Sequence, residues 1–109
     1  MPIIIHITEL YKEIYRLGMK LPKRDRFGFH IKIETIILEM LVLAITAALQ
    51  TKDQKAAALQ GLRIQIEVAK QLIRLEQETN IINEQIYWQL QSKLQEISKM
   101  AAGWAKYAT

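Results

Sequence analysis

A chain of 109 residues, half hydrophobic and 24% charged, has room for one domain with one core, spanning residues 1–109. It contains no cysteine, which excludes disulfides and cysteine-ligated zinc and suits a reducing cytoplasm. The net charge of +4 is compatible with nucleic acid or an acidic protein partner and establishes neither. No basic n-region precedes Ile3, Ile4 and Ile5, so a signal peptide is not expected. The longest apolar run, residues 36–49, is broken by Glu39 and Thr46 and is too short for a membrane span.

Apolar residues recur at helical spacing in four segments. The first covers about residues 3–19, with the stripe Ile3, Ile7, Leu10, Ile14, Leu17. Gly18 followed by Pro22 reads as its stop. The second covers about residues 25–50, with Asp25 as the expected cap. The third covers about residues 53–77; Thr51 and Gln54 have capping-box spacing, and Asp53 is a rival cap. The fourth covers about residues 83–107, capped by Asn83. Its stripe is Tyr87, Leu90, Leu94, Ile97, Ala101, Trp104, Ala108, a heptad pattern. Short connections between four helices predict an all-α, antiparallel up-down four-helix bundle without a sheet.

The two middle helices carry more apolar surface than one bundle face needs. Ile33, Ile37, Met40, Ala44 and Ala47, with Leu59, Leu62, Ile66, Ala69 and Ile73, suit the internal core. A second set remains: Leu38, Val42, Ile45 and Leu49 on one helix, Ile64, Val68, Leu72 and Leu75 on the other. Burying each is worth roughly 1.5–3 kcal/mol, or about 12–24 kcal/mol gross. Association costs an estimated ~4–15 kcal/mol. The balance predicts a homo-oligomer interface on these residues; the alternative is a wide internal core that absorbs both sets.

Catalytic signatures are missing. His6 and His30 fall on different helices, outside any Glu-x-x-His pattern, and ordinary surface or core roles are expected of them. No His-Glu-x-x-His, P-loop or dinucleotide fingerprint occurs, and neither Ser92 nor Ser98 has nucleophile-elbow glycines. The sequence therefore predicts no enzyme, no metal site and no cofactor. Glu39, a charge in the most apolar helix, reads as a carboxylate satisfied by a partner or placed at an interface, with a buried functional acid as the lesser option.

The cations are more informative. Lys20, Lys23, Arg24, Arg26 and Lys32 gather around the first loop against Asp25 alone. Arg63, Lys70 and Arg74 share a face of the third helix, and Lys93, Lys99 and Lys106 lie on the fourth. Such residues on rigid helices neutralise phosphates without reading bases. A solvated face is the alternative, since Glu67 is spaced to pair with Arg63 and Lys70. Tyr87, Trp88 and Trp104 lie on or beside the heptad stripe and read as packing residues rather than base-stacking platforms.

Two stretches carry a resemblance: Leu21-Pro22-Lys23-Arg24-Asp25-Arg26-Phe27-Gly28, and Leu94-Gln95-Glu96-Ile97-Ser98-Lys99-Met100-Ala101-Ala102-Gly103-Trp104. With Ile82-Asn83-Glu84-Gln85 leading to Tyr87, they resemble the accessory variability determinant of diversity-generating retroelements. That family sits in a four-helix-bundle superfamily with proteins encoded by intervening sequences of bacterial ribosomal RNA genes. The resemblance covers nearly the whole chain. It implies a barrel-like homopentamer that binds the retroelement reverse transcriptase, and RNA and DNA with little sequence preference, as a non-catalytic subunit in mutagenic cDNA synthesis. It places the family's basic positions at Lys23, Arg24 and Arg26, and then at Arg63, Lys70 and Arg74. The alternative is a structural or protein-interaction bundle, closer to the intervening-sequence proteins, without nucleic-acid binding.

Overall fold

The structure, a computed structural model, describes residues 1–108. In chain order come α1 (Pro2–Met19), a short α2 (Lys23–Asp25), a π-helical turn (Arg26–His30), α3 (Ile31–Leu49), α4 (Lys52–Glu78) and α5 (Glu84–Ala108). The backbone is right-handed helical at Asp25, Arg26, His30 and Ile31, so α2, the π turn and α3 run on as one rod, residues 23–49. The protein is thus an all-α assembly of four long helical rods, with no strand among the described residues. Each rod packs against the next in sequence, and α1 also meets α5.

The stripes assigned to the core are the ones buried. Ile3, Ile7, Leu10 and Ile14 of α1 meet Ile33, Ile37, Met40, Ala44 and Ala47 of α3 in one cluster. Leu59, Leu62, Ile66, Ala69 and Ile73 of α4 join it, as do Leu90, Leu94, Ile97 and Ala101 of α5. Leu17, Tyr87 and Trp104 pack on its margin, half-buried. Ile82, in the loop before α5, is buried as well. The side chain of Ala108, the last member of the expected stripe, lies outside the described residues.

The helix ends differ from expectation in instructive ways. The second rod is capped by the backbone of Pro22, whose carbonyl accepts from the amides of Asp25 and Arg26. Asp25 is inside the first turn rather than at the cap, where its charge still opposes the positive helix end. Thr51 caps α4 in extended conformation without a side-chain bond, and the rival cap Asp53 lies inside the first turn. Asn83 does cap α5: its Oδ1 accepts from the Ile86 amide at 2.8 Å. Asn83→Ala is therefore expected to cost roughly 0.5–2 kcal/mol in a urea melt. α4 ends in a Schellman turn that sequence reading did not identify. Asn80 takes φ 65, the left-handed region open to asparagine, the Ile81 amide donates to the Glu76 carbonyl, and the Asn80 amide donates to that of Gln77.

Gly18 does not end its helix through a left-handed residue; no glycine has positive φ. It lies buried within α1, and its missing side chain makes room for His30. A Cβ there would stand 2.7 Å from His30 Cδ2. The ring of His30 is fully buried, as is Glu76 of α4. Nε2 donates to the Ile14 carbonyl at 2.7 Å, and Nδ1 donates to Glu76 Oε2 at 2.6 Å. Both ring nitrogens thus face acceptors, the arrangement that suits an imidazolium. Burial lowers the His30 pKa, yet the bonds to Glu76 and Ile14 and the charges of Glu76 and Glu34 outweigh it, leaving it raised above the ordinary histidine value. One polar joint therefore ties α1, the π turn and α4 together inside an apolar core.

Candidate nucleic-acid and assembly surfaces

The expected phosphate-binding residues fall into two groups. Lys23 and Arg24 stand exposed on α2, and Arg26, half-buried, opens the π turn. Lys20 precedes them and Lys32 follows, both exposed. The helix N-terminus at Lys23 adds its own positive end to these charges. Arg24 also lines a hollow with Phe29, Leu75, Thr79 and Ile81, which sets the start of α2 beside the end of α4.

The second group follows the side of α4 that meets α5. Arg63 and Arg74 are exposed there. Lys70 is half-buried between them, tied to Glu67 at 3.0 Å and to Gln95 of α5 at 3.0 Å. At 1.5 Å per residue, Arg63 and Arg74 are about 16 Å apart along the helix. The groove beside Arg63 also holds Glu67, so this face carries mixed charge. Lys93 of α5 is taken up by Glu13 of α1. Within the cluster around α2, Asp25 is the one acidic residue among Lys20, Lys23, Arg24 and Arg26.

The second apolar set is left on the surface. Leu38, Ile45, Val68 and Leu75 are exposed, and Val42, Leu49 and Ile64 are 62%, 80% and 56% exposed. Leu72 alone is drawn halfway toward the core. A wide internal core that absorbs both sets does not form. The exposed members form one stripe on each helix. Leu43 lies against Gly61, and Gln65 Nε2 donates to Glu39 Oε2 at 2.7 Å, which marks the seam where α3 meets α4. Leu38 and Val42 each precede a seam residue by one, about 100° round α3. Ile64 precedes Gln65 and points outward on α4 in the same way. Glu39 is therefore a surface carboxylate satisfied by a partner.

Three features differ from or add to what the sequence predicts. Trp88 is 61% exposed and outside the core, its ring edge-on to that of Tyr87 at 5.1 Å between centroids and its Nε1 reaching Glu84 Oε1 at 3.5 Å. Its neighbour Tyr87 occupies the stripe, and adjacent helix positions cannot share one face. Phe27 in the π turn is likewise exposed, while Phe29 two residues on packs against the core. The buried acid is Glu76; its signal was visible in the step from Ala69 to Ile73 to Glu76, which continues the core stripe.

Among the described residues, no group of three or more His, Cys, Asp or Glu side chains is placed to hold a metal ion. Among the same residues, no helix is long and apolar enough to cross a membrane. The large groove along α4 and α5 contains Arg63 and Glu67 as its charged residues, together with Gln60, Gln71 and Ser98.

No curated protein and no solved structure matches the chain. The family model described as bAvd-like matches residues 3–108, the whole succession of rods from the first core isoleucine of α1 to the end of α5. With a match of that extent, the chain belongs to the bAvd-like family.

Proposed function

We propose that this protein is a non-catalytic accessory subunit of a diversity-generating retroelement, active in the cytoplasm. In this reading it binds the reverse transcriptase and, through a basic oligomeric surface, RNA and DNA, in support of mutagenic cDNA synthesis. Membership of the bAvd-like family over residues 3–108 carries the reading. Each protomer is taken as an antiparallel up-down bundle, and the protomers as a closed ring of five.

The surface supports this assignment. Uncovered aliphatic side chains on α3 and α4 are of the kind that mark association sites. One stripe lies on each helix, which suits a head-to-tail contact, in which one protomer's α3 stripe meets its neighbour's α4 stripe. Such heterologous contacts generate rings when the rotation closes. Closure repeats the Lys23, Arg24 and Arg26 cluster around the ring and raises the potential that attracts phosphates. Lys70, already paired with Glu67 and Gln95, contributes less than these three.

Molar mass by light scattering, with and without a short structured RNA at low and moderate salt, tests both halves. A pentamer is expected, and RNA should co-elute at low salt and dissociate as salt rises, because phosphate contacts release counterions. Val42→Lys is expected to yield folded protomers. A monomeric wild type that ignores RNA would overturn the reading and leave a protein-interaction bundle. A Val42→Lys protein that stays assembled would move the interface elsewhere.

A further inference from the structure

We infer that Phe27 is a stacking platform for unpaired bases, so that the basic end of the bundle takes single-stranded segments of RNA or DNA in preference to duplex. The inference rests on the nucleic-acid reading above and narrows it. Phe27 is 56% exposed and takes no part in the core cluster, although Phe29 does. Between Arg26 and His30 the helix is wound as a π turn, with the Ile31 amide donating to the Arg26 carbonyl. That winding accompanies an inward His30 and an outward Phe27. π turns of this kind are frequent at functional sites.

The neighbourhood decides what the ring would meet. The Arg26 guanidinium carbon lies 5.0 Å from the centroid of the Phe27 ring. Lys23 and Arg24 are exposed one helical turn away, and Gly28 presents no side chain beside the ring. A Cβ added at Gly28 would meet nothing within 4 Å, so the approach past it is open. An aromatic face with Arg and Lys around it matches single-stranded nucleic acid, whose bases stack on the ring while its phosphates meet the cations. A duplex keeps its bases paired and stacked, and offers the ring nothing but backbone. A second copy of this end would bring the same cations together, and lysine is depleted in protein interfaces. Trp88 offers an equally exposed ring, but Glu84 stands against it, which disfavours a phosphate chain there.

The test compares binding of a short oligouridine and a duplex of equal length to the full-length protein at low salt. Phe27→Ala is expected to weaken oligouridine binding roughly ten-fold or more with little change for duplex, and Phe27→Trp to restore it. A combined Lys23→Gln and Arg24→Gln protein should lose affinity for both. Because Phe27 is outside the core, circular dichroism of Phe27→Ala should match wild type. If wild type binds both forms and Phe27→Ala leaves oligouridine affinity intact, or lowers both affinities alike, the stacking role is overturned while nucleic-acid binding stands. If wild type binds neither, the broader reading fails first.

Discussion

Replacing His30 with Leu should lower the unfolding free energy by about 3–5 kcal/mol, the largest single effect expected in this chain. The loss comes from what stays behind. Glu76 would remain in the core with no cation, and its Oε1 has no hydrogen-bond partner even in wild type. The double change His30→Leu with Glu76→Leu should recover most of the loss, since well-packed apolar residues often replace a buried ion pair at little cost. Urea melts of the set at one protein concentration give the coupling directly. Single and double variants equally unstable would show that shape, and not charge, holds the joint.

The same pair makes stability depend on pH, with a definite sign. The folded His30 pKa is raised above 6.5. Folding therefore favours the protonated ring, and this contribution is complete below the unfolded value. It is lost as pH rises through the folded value. Wild type should weaken on moving alkaline from about pH 6.5, and the double variant should lack that component. A wild-type profile flat from pH 6 to 9, or one that rises, would show that the ring is neutral in the fold.

Gly18→Ala is expected to be the second most damaging change, at roughly 1–3 kcal/mol. Helix propensity alone would favour alanine by ~1 kcal/mol, so the sign of the result is informative. The added Cβ would stand 2.7 Å from His30 Cδ2 and 3.2 Å from Glu34 Oε2. The ring has little freedom to yield, being held at both nitrogens by Ile14 and Glu76. Gly103, also helical, has nothing within 4 Å of a built Cβ, so Gly103→Ala should stabilise the protomer modestly. Thermal melts of the two variants should move in opposite directions. If Gly18→Ala were also stabilising, the close approach of His30 would not be a feature of the folded protein.

Periodicity carried most of the architecture. Ile7, Leu10 and Ile14, or Leu90, Leu94 and Ile97, identify a helix and its buried face because the helical repeat is a local property of the backbone. The exposed second stripes followed from the same spacing, since α3 has more aliphatic residues than one face can hide. The basic cluster around α2 was legible too, as a concentration of charge in a short stretch of chain.

Pairings across the chain were decided by the tertiary fold. His30 and Glu76 are 46 residues apart, and each looks ordinary until α4 is laid against the π turn. Gly18 reads as a stop because glycine often ends helices, whereas its role here depends on a ring from another element. The π turn itself inserts one residue into the helical count, so spacing alone could not say that Phe29 turns inward and Phe27 outward. Helical segments and the apolar stripe of each are written in the local order of residues, since both are set within a few residues along the chain. Which polar groups meet in the core and which aromatic rings reach the surface was settled by packing, because those depend on contacts between elements that no local repeat encodes.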